Sequence, residues 1–490
     1  MSYLAKLKEK TLPPQKTEDE LIKDVPDTPY HVHLDNTKKK LDEISPSFCA
    51  AKWQQVTLHL QNGHTHSCHH PTPHHIPLEE IAVDISALHN TKFKKQQRKM
   101  MLEGQRPPEC SYCWKVEDSS TTVHSDRIIK SADVSWAYRH IDKIKQQPWD
   151  QNVDPSYLEV SFGNVCNFKC SYCAPQYSSQ WMEEIERYGP YPTTGHYNNI
   201  EWLKRDNLMP IPNNQDNPYV DAFWEWFPTI YSKLAHFRIT GGEPLLNKNT
   251  FLVLDYIIQN PNPALDFSIN SNLNPTSALW KKFLEKIDII IKEKKVRNFK
   301  VFTSAEAHGR QAEYIRFGMN YEQWLKNFTE ALDLGIQFTV MSTYNALSVT
   351  TYKEFLQDMV DLKHRVYKKE EAGHMCRLLV DIPYLRQPVH QSVFILPPKF
   401  QEHLYDQLTF MYRNMENTKW ADSSGYGFFE FEIEKLKRVY NFVQSNPEIP
   451  SDLTARKDFK LFVNEHDRRR GTNFKETFPD LVEFYESIPE

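Results

Sequence analysis

The sequence predicts an α/β fold: a partial (β/α)6 TIM-like barrel, preceded by a cysteine-rich module and followed by a helical extension. Three observations predict it. Six strand-like runs follow one another from Tyr157 onward: YLEVSF, HFRITGGEPLL, LDFSINSNL, FKVFTSAEA, IQFTVMSTYN and RLLVDIPYL. Helical stretches near 250–259, 277–291, 321–334 and 351–368 separate most of them. Strand alternating with helix is the pattern of a parallel sheet. Beyond about residue 397 the strands stop, and the remaining apolar-periodic stretches read as helices. Six units instead of eight fit a barrel that does not close.

The expected divisions are a polar leader at 1–40, the cysteine-rich module at 41–150, the barrel at 151–396 and the helical region at 397–490. The leader, with KEKTLPPQKTEDE and NTKKKLDE, reads as poorly anchored. In the module, WQQVTLHLQNGHTHSC reads as a hairpin, because Val56, Leu58 and Leu60 alternate and Asn62-Gly63 is a strong turn signal. Leu88–Leu102 reads as a basic helix ended by Gly104. Its KFKKQQRK run, Lys92–Lys99, reads as a solvated face; the other reading is a docking site for an acidic partner. Residues 131–147 also read as helical.

Composition narrows the function classes. Hydrophobic residues make up 40% and aromatics 13% of the 490 residues, which is a globular composition. A net charge of −5 gives no reason to expect nucleic acid or an anionic membrane as partner. No apolar run reaches the roughly 18 residues of a membrane span. The start, MSYLAKLKEKTLPPQK, lacks the apolar region of a secretory signal. Eight cysteines, most of them clustered in an unsecreted chain, argue for metal over disulfides, and the expected location is cytoplasmic.

The chemistry concentrates in GNVCNFKCSYCAP, where Cys166, Cys170 and Cys173 stand in a C-x3-C-x2-C spacing just after the first barrel strand. Barrels of this kind place their chemistry at such strand ends. Three thiolates are one short of saturating a four-iron cube, so one iron stays open to another ligand. A zinc knuckle is the alternative, but zinc prefers paired cysteines and a complete set of four. Tyr172, inside the triplet, either stacks on a purine or packs. Downstream, Gly241-Gly242-Glu243-Pro244 closes the second barrel strand; standing alone it would be an ordinary turn.

The triplet followed by GGEP resembles the radical S-adenosylmethionine (SAM) superfamily, over about residues 155–390. The resemblance implies a [4Fe–4S] cluster whose open iron binds SAM, and a 5′-deoxyadenosyl radical that abstracts hydrogen from substrate. It implies that Cys166, Cys170 and Cys173 ligate the cluster and that Gly241, Gly242 and Glu243 hold the SAM amino group. It places Ser304 near the SAM ribose or carboxylate, with Glu306 a second candidate for that place. Arg316 would face the SAM carboxylate, the alternative being a solvated helix arginine. Asn270, Asn272, Thr343 and Asn345 are candidates to line the cavity. A one-electron reductant such as flavodoxin or ferredoxin is the implied partner.

A second set precedes the barrel: Cys49-x18-Cys68-x41-Cys110-x2-Cys113. Four cysteines suffice for a fully ligated cluster or a structural zinc. The FC-x3-W start, Gly63, Cys68 and PPECSYCWKVED resemble the SPASM and Twitch auxiliary-cluster modules of radical SAM enzymes, here placed before the barrel instead of after it. Twitch-domain radical SAM proteins, phage-encoded ones included, share this order, and DRRRGTNFKETFPDL near the C-terminus is similar to theirs. The resemblance favours a second iron–sulfur cluster. Among His64, His66, His69, His70, His74 and His75, His69 stands where many such modules carry a further cysteine; the plain reading is a polar loop. Cys376 reads as a small buried hydrophobe. The expected function is a radical SAM oxidoreductase acting on a peptide or protein, or on a small molecule. The alternatives are a glycyl-radical activase and a non-catalytic cluster-binding protein.

Overall fold

In each expected barrel strand every second side chain is apolar, and the fold uses that period. The computed structural model describes residues 29–119, 123–195, 197–366, 377–415, 427–445 and 453–489. Its strands are β1 (Gln55–His59), β2 (His64–His66), β3 (His74–His75), β4 (Tyr157–Ser161), β5 (Lys169–Cys170), β6 (His236–Thr240), β7 (Asn262–Asn270), β8 (Val296–Thr303), β9 (Arg316–Phe317), β10 (Gln337–Met341) and β11 (Leu378–Asp381). All six predicted barrel strands form. They lie side by side in the order β4, β6, β7, β8, β10, β11, and every pairing among them is parallel. This largely parallel sheet is consistent with a radical-type partial barrel.

The two faces of the sheet differ in chemistry. Leu158, Val160, Phe237, Ile239, Phe267, Ile269, Val301 and Val340 are buried in the main core. The helices Lys248–Gln259, Ser277–Lys292, Tyr321–Asp333 and Tyr352–Val366 add their own buried stripes to that core. The alternate residues Tyr157, Glu159, Ser161, Arg238, Ser268, Asn270 and Lys300 leave the opposite face, which is polar. The first crossover carries three helices, Ser179–Tyr188, Ile200–Arg205 and Pro218–Ile230, beyond those expected from the sequence.

The predicted hairpin forms, but it does not stand apart from the barrel. β1 pairs with β4 in parallel, from Gln55 opposite Tyr157 to His59 opposite Ser161, and β2 and β3 follow antiparallel. Val56, Leu58 and Leu60 are consequently part of the barrel's core. A second core, with Phe48, Trp53, Trp114 and Trp136, lies beneath the cysteine-rich segment. Both the sheet and the main core thus continue across residue 150.

Two expectations are corrected. The leader was expected to be poorly anchored through residue 40, but Pro29–Asp42 is a helix whose Leu34 and Leu41 are buried in the second core; residues 1–28 lie outside the described residues. The KFKKQQRK run is only half solvated. In helix Lys92–Leu102, Lys94 and Arg98 are fully buried. Lys94 Nζ donates to the Gln55 carbonyl at 3.1 Å, and Arg98 Nε donates to the Lys52 carbonyl at 3.2 Å. Those carbonyls lie at the start of β1 and in the short helix Ala51–Gln54 that leads into it. Residues 131–147 are helical only in part, as a stretch Ile141–Lys145 after a looser turn.

The C-terminal extension is helical as expected: Gln401–Arg413, Glu430–Ser445, Leu453–Arg470 and Val482–Ser487. It covers the β11 edge. Glu432 accepts from Val380 N at 2.6 Å and pairs with Lys363 at 3.0 Å, both ionic groups being fully buried. Cys376 lies outside the described residues. Among those described, no helix is long and apolar enough to cross a membrane.

A chain that begins at residue 151 loses β1 from the β4 edge and uncovers the apolar surface beneath it. It is expected to aggregate on size-exclusion chromatography where the full chain does not. A monomeric 151–490 fragment with a cooperative melt would show that β1 is dispensable.

Candidate active site

The loop after β4 is built by contacts from four distant parts of the chain. Cys166, Cys170 and Cys173 are half-buried in it. Cys170 lies on β5, which pairs antiparallel with β9, so that Cys170 stands opposite Arg316. Trp181 Nε1 donates to the Cys170 carbonyl at 2.8 Å, and Gln391 Nε2 donates to the Ser171 carbonyl at 3.1 Å. From the C-terminal helix, Arg470 Nη1 donates to the Lys169 carbonyl at 2.6 Å and Nε reaches Glu184 at 3.1 Å. The backbone N–H of Phe168 points at Cys166 Sγ, 3.4 Å away. Burial pushes the Cys166 and Cys170 thiols up and Cys173 up to about 12, so binding a metal group there displaces protons.

The GGEP turn clasps this loop. Gly242 N donates to the Gly163 carbonyl at 3.2 Å and Glu243 N to the Val165 carbonyl at 2.7 Å. A Cβ on Gly242 would lie 2.3 Å from the Val165 oxygen. Gly241 has φ +117°, and its Cβ would meet Ser161 Oγ at 2.7 Å and the Gly163 oxygen at 2.8 Å. The close approach these glycines permit is therefore, first of all, to the cysteine loop itself. The Glu243 carboxylate turns inward and accepts from Asn272 N at 2.6 Å, Ser271 Oγ at 2.9 Å and Leu245 N at 3.0 Å. Burial pushes its carboxyl up to about 7 against those three donors.

Arg316 and Glu306 form a buried pair beside the triplet. Arg316 Nε and Nη2 donate to Glu306 Oε2 at 2.9 and 2.7 Å. Nη2 also reaches the Tyr172 hydroxyl at 2.5 Å, and Nη1 points at Cys170 Sγ at 3.7 Å. Arg316 is thus buried and not a solvated helix residue. Glu306 Oε1 is buried with no hydrogen-bond partner among the described residues. Ser304 follows β8 at the rim and is half-buried. Asn272 Nδ2 donates to Asn167 Oδ1 at 2.7 Å and so touches the cysteine loop. Asn270 instead accepts from Arg238 at 2.9 Å. Thr343 lies near the Tyr172 hydroxyl, while Asn345 is buried capping its own turn. A cleft of about 350 Å³ opens beside the loop, lined by Tyr172, Cys173, Tyr197, Asn198, Trp202 and Gln387 among others.

The structure also brings the N-terminal cysteines together. Cys49, Cys68, Cys110 and Cys113 line one cavity, with Lys52, His70 and Arg127. The backbone N–H groups of His70 and Arg127 lie near Cys68 and Cys113 and oppose the upward push of burial on those thiols. Burial still raises Cys110 and Cys113 to about 12. Lys52 is buried here, paired with Glu109, and lies close enough to Cys110 and Cys68 to feel their charge. Among the described residues, no group of three or more His, Cys, Asp or Glu is gathered to hold a single metal ion.

The histidines mostly have their own partners. His64 bonds the Asn62 carbonyl at 2.9 Å, His74 bonds Thr91 at 2.9 Å, His75 bonds Tyr219 at 3.0 Å, and His66 lies 3.0 Å from His59. His70, and not the exposed His69, lines the cysteine cavity, and its Nε2 is bound to Asp126 at 2.7 Å.

With this geometry in view, the comparisons with known proteins are specific for one region. The family model of the Radical SAM superfamily matches residues 160–362. The chain is also similar to the GTP 3′,8-cyclase of Trichodesmium erythraeum (strain IMS101), at 26% identity over 137 residues, 27% of this chain and 33% of the relative. It is similar to the GTP 3′,8-cyclase of Aliarcobacter butzleri (strain RM4018), at 29% over 129 residues, 26% of this chain and 30% of the relative. The chain thus spans about a third of the length of these curated relatives. Among solved structures it is similar to anSMEcpe with bound AdoMet and Kp18Cys peptide, with 13% identity, a TM-score of 0.31 and coverage of 52% of this chain and 60% of that one. It is similar to SuiB of Streptococcus suis bound to S-adenosylmethionine, with 13% identity, a TM-score of 0.33 and coverage of 72% and 69%.

Around the radical SAM triplet, the sequence motifs missed Trp181, Gln391 and Arg470, and around the N-terminal cysteines they missed Lys52, Glu109 and Arg127. None carries a local signal, because each acts on a backbone carbonyl or a charge that folding brings to it, from 10 or 11 residues away for Arg127 and Trp181 to about 300 for Arg470. The segment DRRRGTNFKETFPDL carries a resemblance, but its sequence does not tell that Arg469 and Arg470 are buried and that Arg470 reaches the cysteine loop.

Gly242→Ala is expected to lower stability by about 1–3 kcal/mol through overpacking and to impair iron loading. Thermal melts and iron analysis check it against Gly195→Ala, whose added Cβ finds its nearest neighbour at an ordinary 3.4 Å.

Proposed function

We propose that the chain is a radical SAM oxidoreductase that reductively cleaves SAM at a [4Fe–4S] cluster and uses the 5′-deoxyadenosyl radical to take a hydrogen atom from a substrate. The observation that carries this reading is the clasp between the cysteine loop and GGEP at the ends of two neighbouring parallel strands, inside the region that matches the superfamily. The donor set fits the cluster: three thiols on one loop, with an N–H group and a guanidinium directed at two of the sulfurs. Cys166, Cys170 and Cys173 would hold it. Gly241, Gly242, Glu243, Ser304, Glu306 and Tyr172 would surround SAM, with Arg316 as the cation nearest to it.

For the N-terminal cysteines we propose a second iron–sulfur cluster. What supports it is the shared cavity, the backbone N–H groups of His70 and Arg127 near two of the sulfurs, and the buried Lys52, whose charge reaches Cys68 and Cys110. Thiol sites of this kind call for a reducing compartment such as the cytoplasm, and for a one-electron donor such as flavodoxin or ferredoxin.

The substrate in this reading is a peptide or protein, or a polar small molecule. Support for a polar occupant comes from the sheet face opposite the core. Gln55 Oε1, Thr57 Oγ1, Glu159 Oε2 and Ser161 Oγ leave neighbouring strands on that same face, are buried, and have no hydrogen-bond partner among the described residues. Such atoms require water or a ligand.

Anaerobically reconstituted protein with dithionite and SAM is expected to form 5′-deoxyadenosine. A rate no higher than that of Cys170→Ala would remove the enzyme reading. Iron analysis is expected to find about eight irons per chain, four for each cube; four irons with one zinc would refute the second cluster. Lys52→Met leaves Glu109 unpaired beside the thiolates and is expected to bring the count toward about four.

A further inference from the structure

We propose that Arg316 is a positioning residue for Cys170, acting on the cluster through the ligand sulfur instead of through the SAM carboxylate. The inference rests on the radical SAM reading above and deepens it.

The guanidinium is already committed. Two of its N–H groups are on Glu306 Oε2, one reaches the Tyr172 hydroxyl, and Nη1 is directed at Cys170 Sγ at 3.7 Å. A flexible side chain would not hold such an arrangement by itself, but the backbone fixes it. Cys170 and Arg316 face each other in the β5–β9 ladder, and Ser171 N donates to the Ile315 carbonyl at 2.6 Å. Arg316 therefore has no freedom to swing toward another anion without breaking the Glu306 pair. The corner is also asymmetric. Cys166 has the Glu243 carboxylate as its charged neighbour, whereas Cys170 has the Arg316–Glu306 pair and, behind its backbone, Arg470; Arg316 also reaches Cys173 with its charge.

A cation within reach of a ligand sulfur favours the more negative, reduced state of a cluster and raises its potential. Glu306 works against this, because its carboxylate offsets the guanidinium. The pair thus acts as a setting with two opposed charges. Removing Arg316 lowers the potential; neutralising Glu306 raises it. A variant that merely loosens the loop would move both in the same direction.

The test is an EPR-monitored redox titration of the anaerobically reconstituted full chain without SAM, read at the signal that Cys173→Ala abolishes. Arg316→Gln is expected to shift the midpoint to lower potential, Arg316→Lys to fall between it and wild type, and Glu306→Gln to shift it upward. Iron content and melting temperature are measured on each, so that an unloaded or unfolded variant is recognised; Arg316→Lys keeps the charge if the glutamine variant does not load. Shifts of the same sign in Arg316→Gln and Glu306→Gln, or none in either, overturn the proposal. So does an unchanged potential in Arg316→Gln with a raised KM for SAM, which would assign the guanidinium to the cofactor. If the wild-type protein shows no signal that depends on Cys173, the radical SAM reading itself falls, and with it the ground for this one.

Discussion

β4 is hydrogen-bonded on both sides, to β6 on one edge and to β1 on the other, and all three strands run parallel. Parallel strands end on the same side of a sheet. The register sets Ser161 opposite both Thr240 and His59. From those three positions the chain enters, respectively, the cysteine loop, the GGEP turn and the hairpin that leads to Cys68. One ladder therefore places the triplet, its clasp and the approach to the second thiol set next to one another. Adjacent strands lie about 4.8 Å apart, so the loops that follow β4 and β6 must interlock. Gly241 and Gly242 are the residues that let them do so.

The hairpin reaches further than its three short strands suggest. His66 lies between His59 and the carbonyl of Cys68, so side chains as well as backbone link the β1 end of the sheet to the N-terminal cavity. Burial holds His59 at about 3 and His66 at about 4, so both are neutral near pH 7. The inner side of helix Lys92–Leu102 delivers two nitrogen donors, Lys94 and Arg98, to the start of β1 and the turn before it. Those donors have backbone carbonyls as partners, an arrangement that satisfies buried acceptors without adding a counter-charge.

Charge at the two thiol sites is handled in the same way. Each has a buried cation paired with a carboxylate: Arg316 with Glu306, and Lys52 with Glu109. Taking ions out of water is expensive, and a buried pair is weak evidence for stability. These pairs are placed where thiolates would bring further negative charge, so the cations are better understood through the sites than through the fold. The C-terminal helices complete the first site from behind. Arg470 holds the Lys169 carbonyl, and Asp467 accepts from the Tyr314 hydroxyl at 2.9 Å and from Phe474 N at 2.7 Å, tying the end of the helix to the segment that precedes β9.

The sequence by itself determined what depends on nearest neighbours along the chain. The six barrel strands and the four helices that follow the second to fifth of them come from local period. The triplet and GGEP follow from spacing, and Asn62-Gly63 announced its own turn. Tertiary structure alone decided the rest. Lys94 and Arg98 look like solvated charges until the carbonyls of Gln55 and Lys52 are seen to need them, and Pro29–Asp42 looks like a loose leader until Leu34 and Leu41 find the second core. That β1 joins the barrel sheet, that Arg316 faces Cys170, and that a helix near the C-terminus braces the loop after β4 are pairings between residues that sequence order keeps far apart. Hydrogen bonds and buried charges depend on distance in space, and periodicity records only distance along the chain.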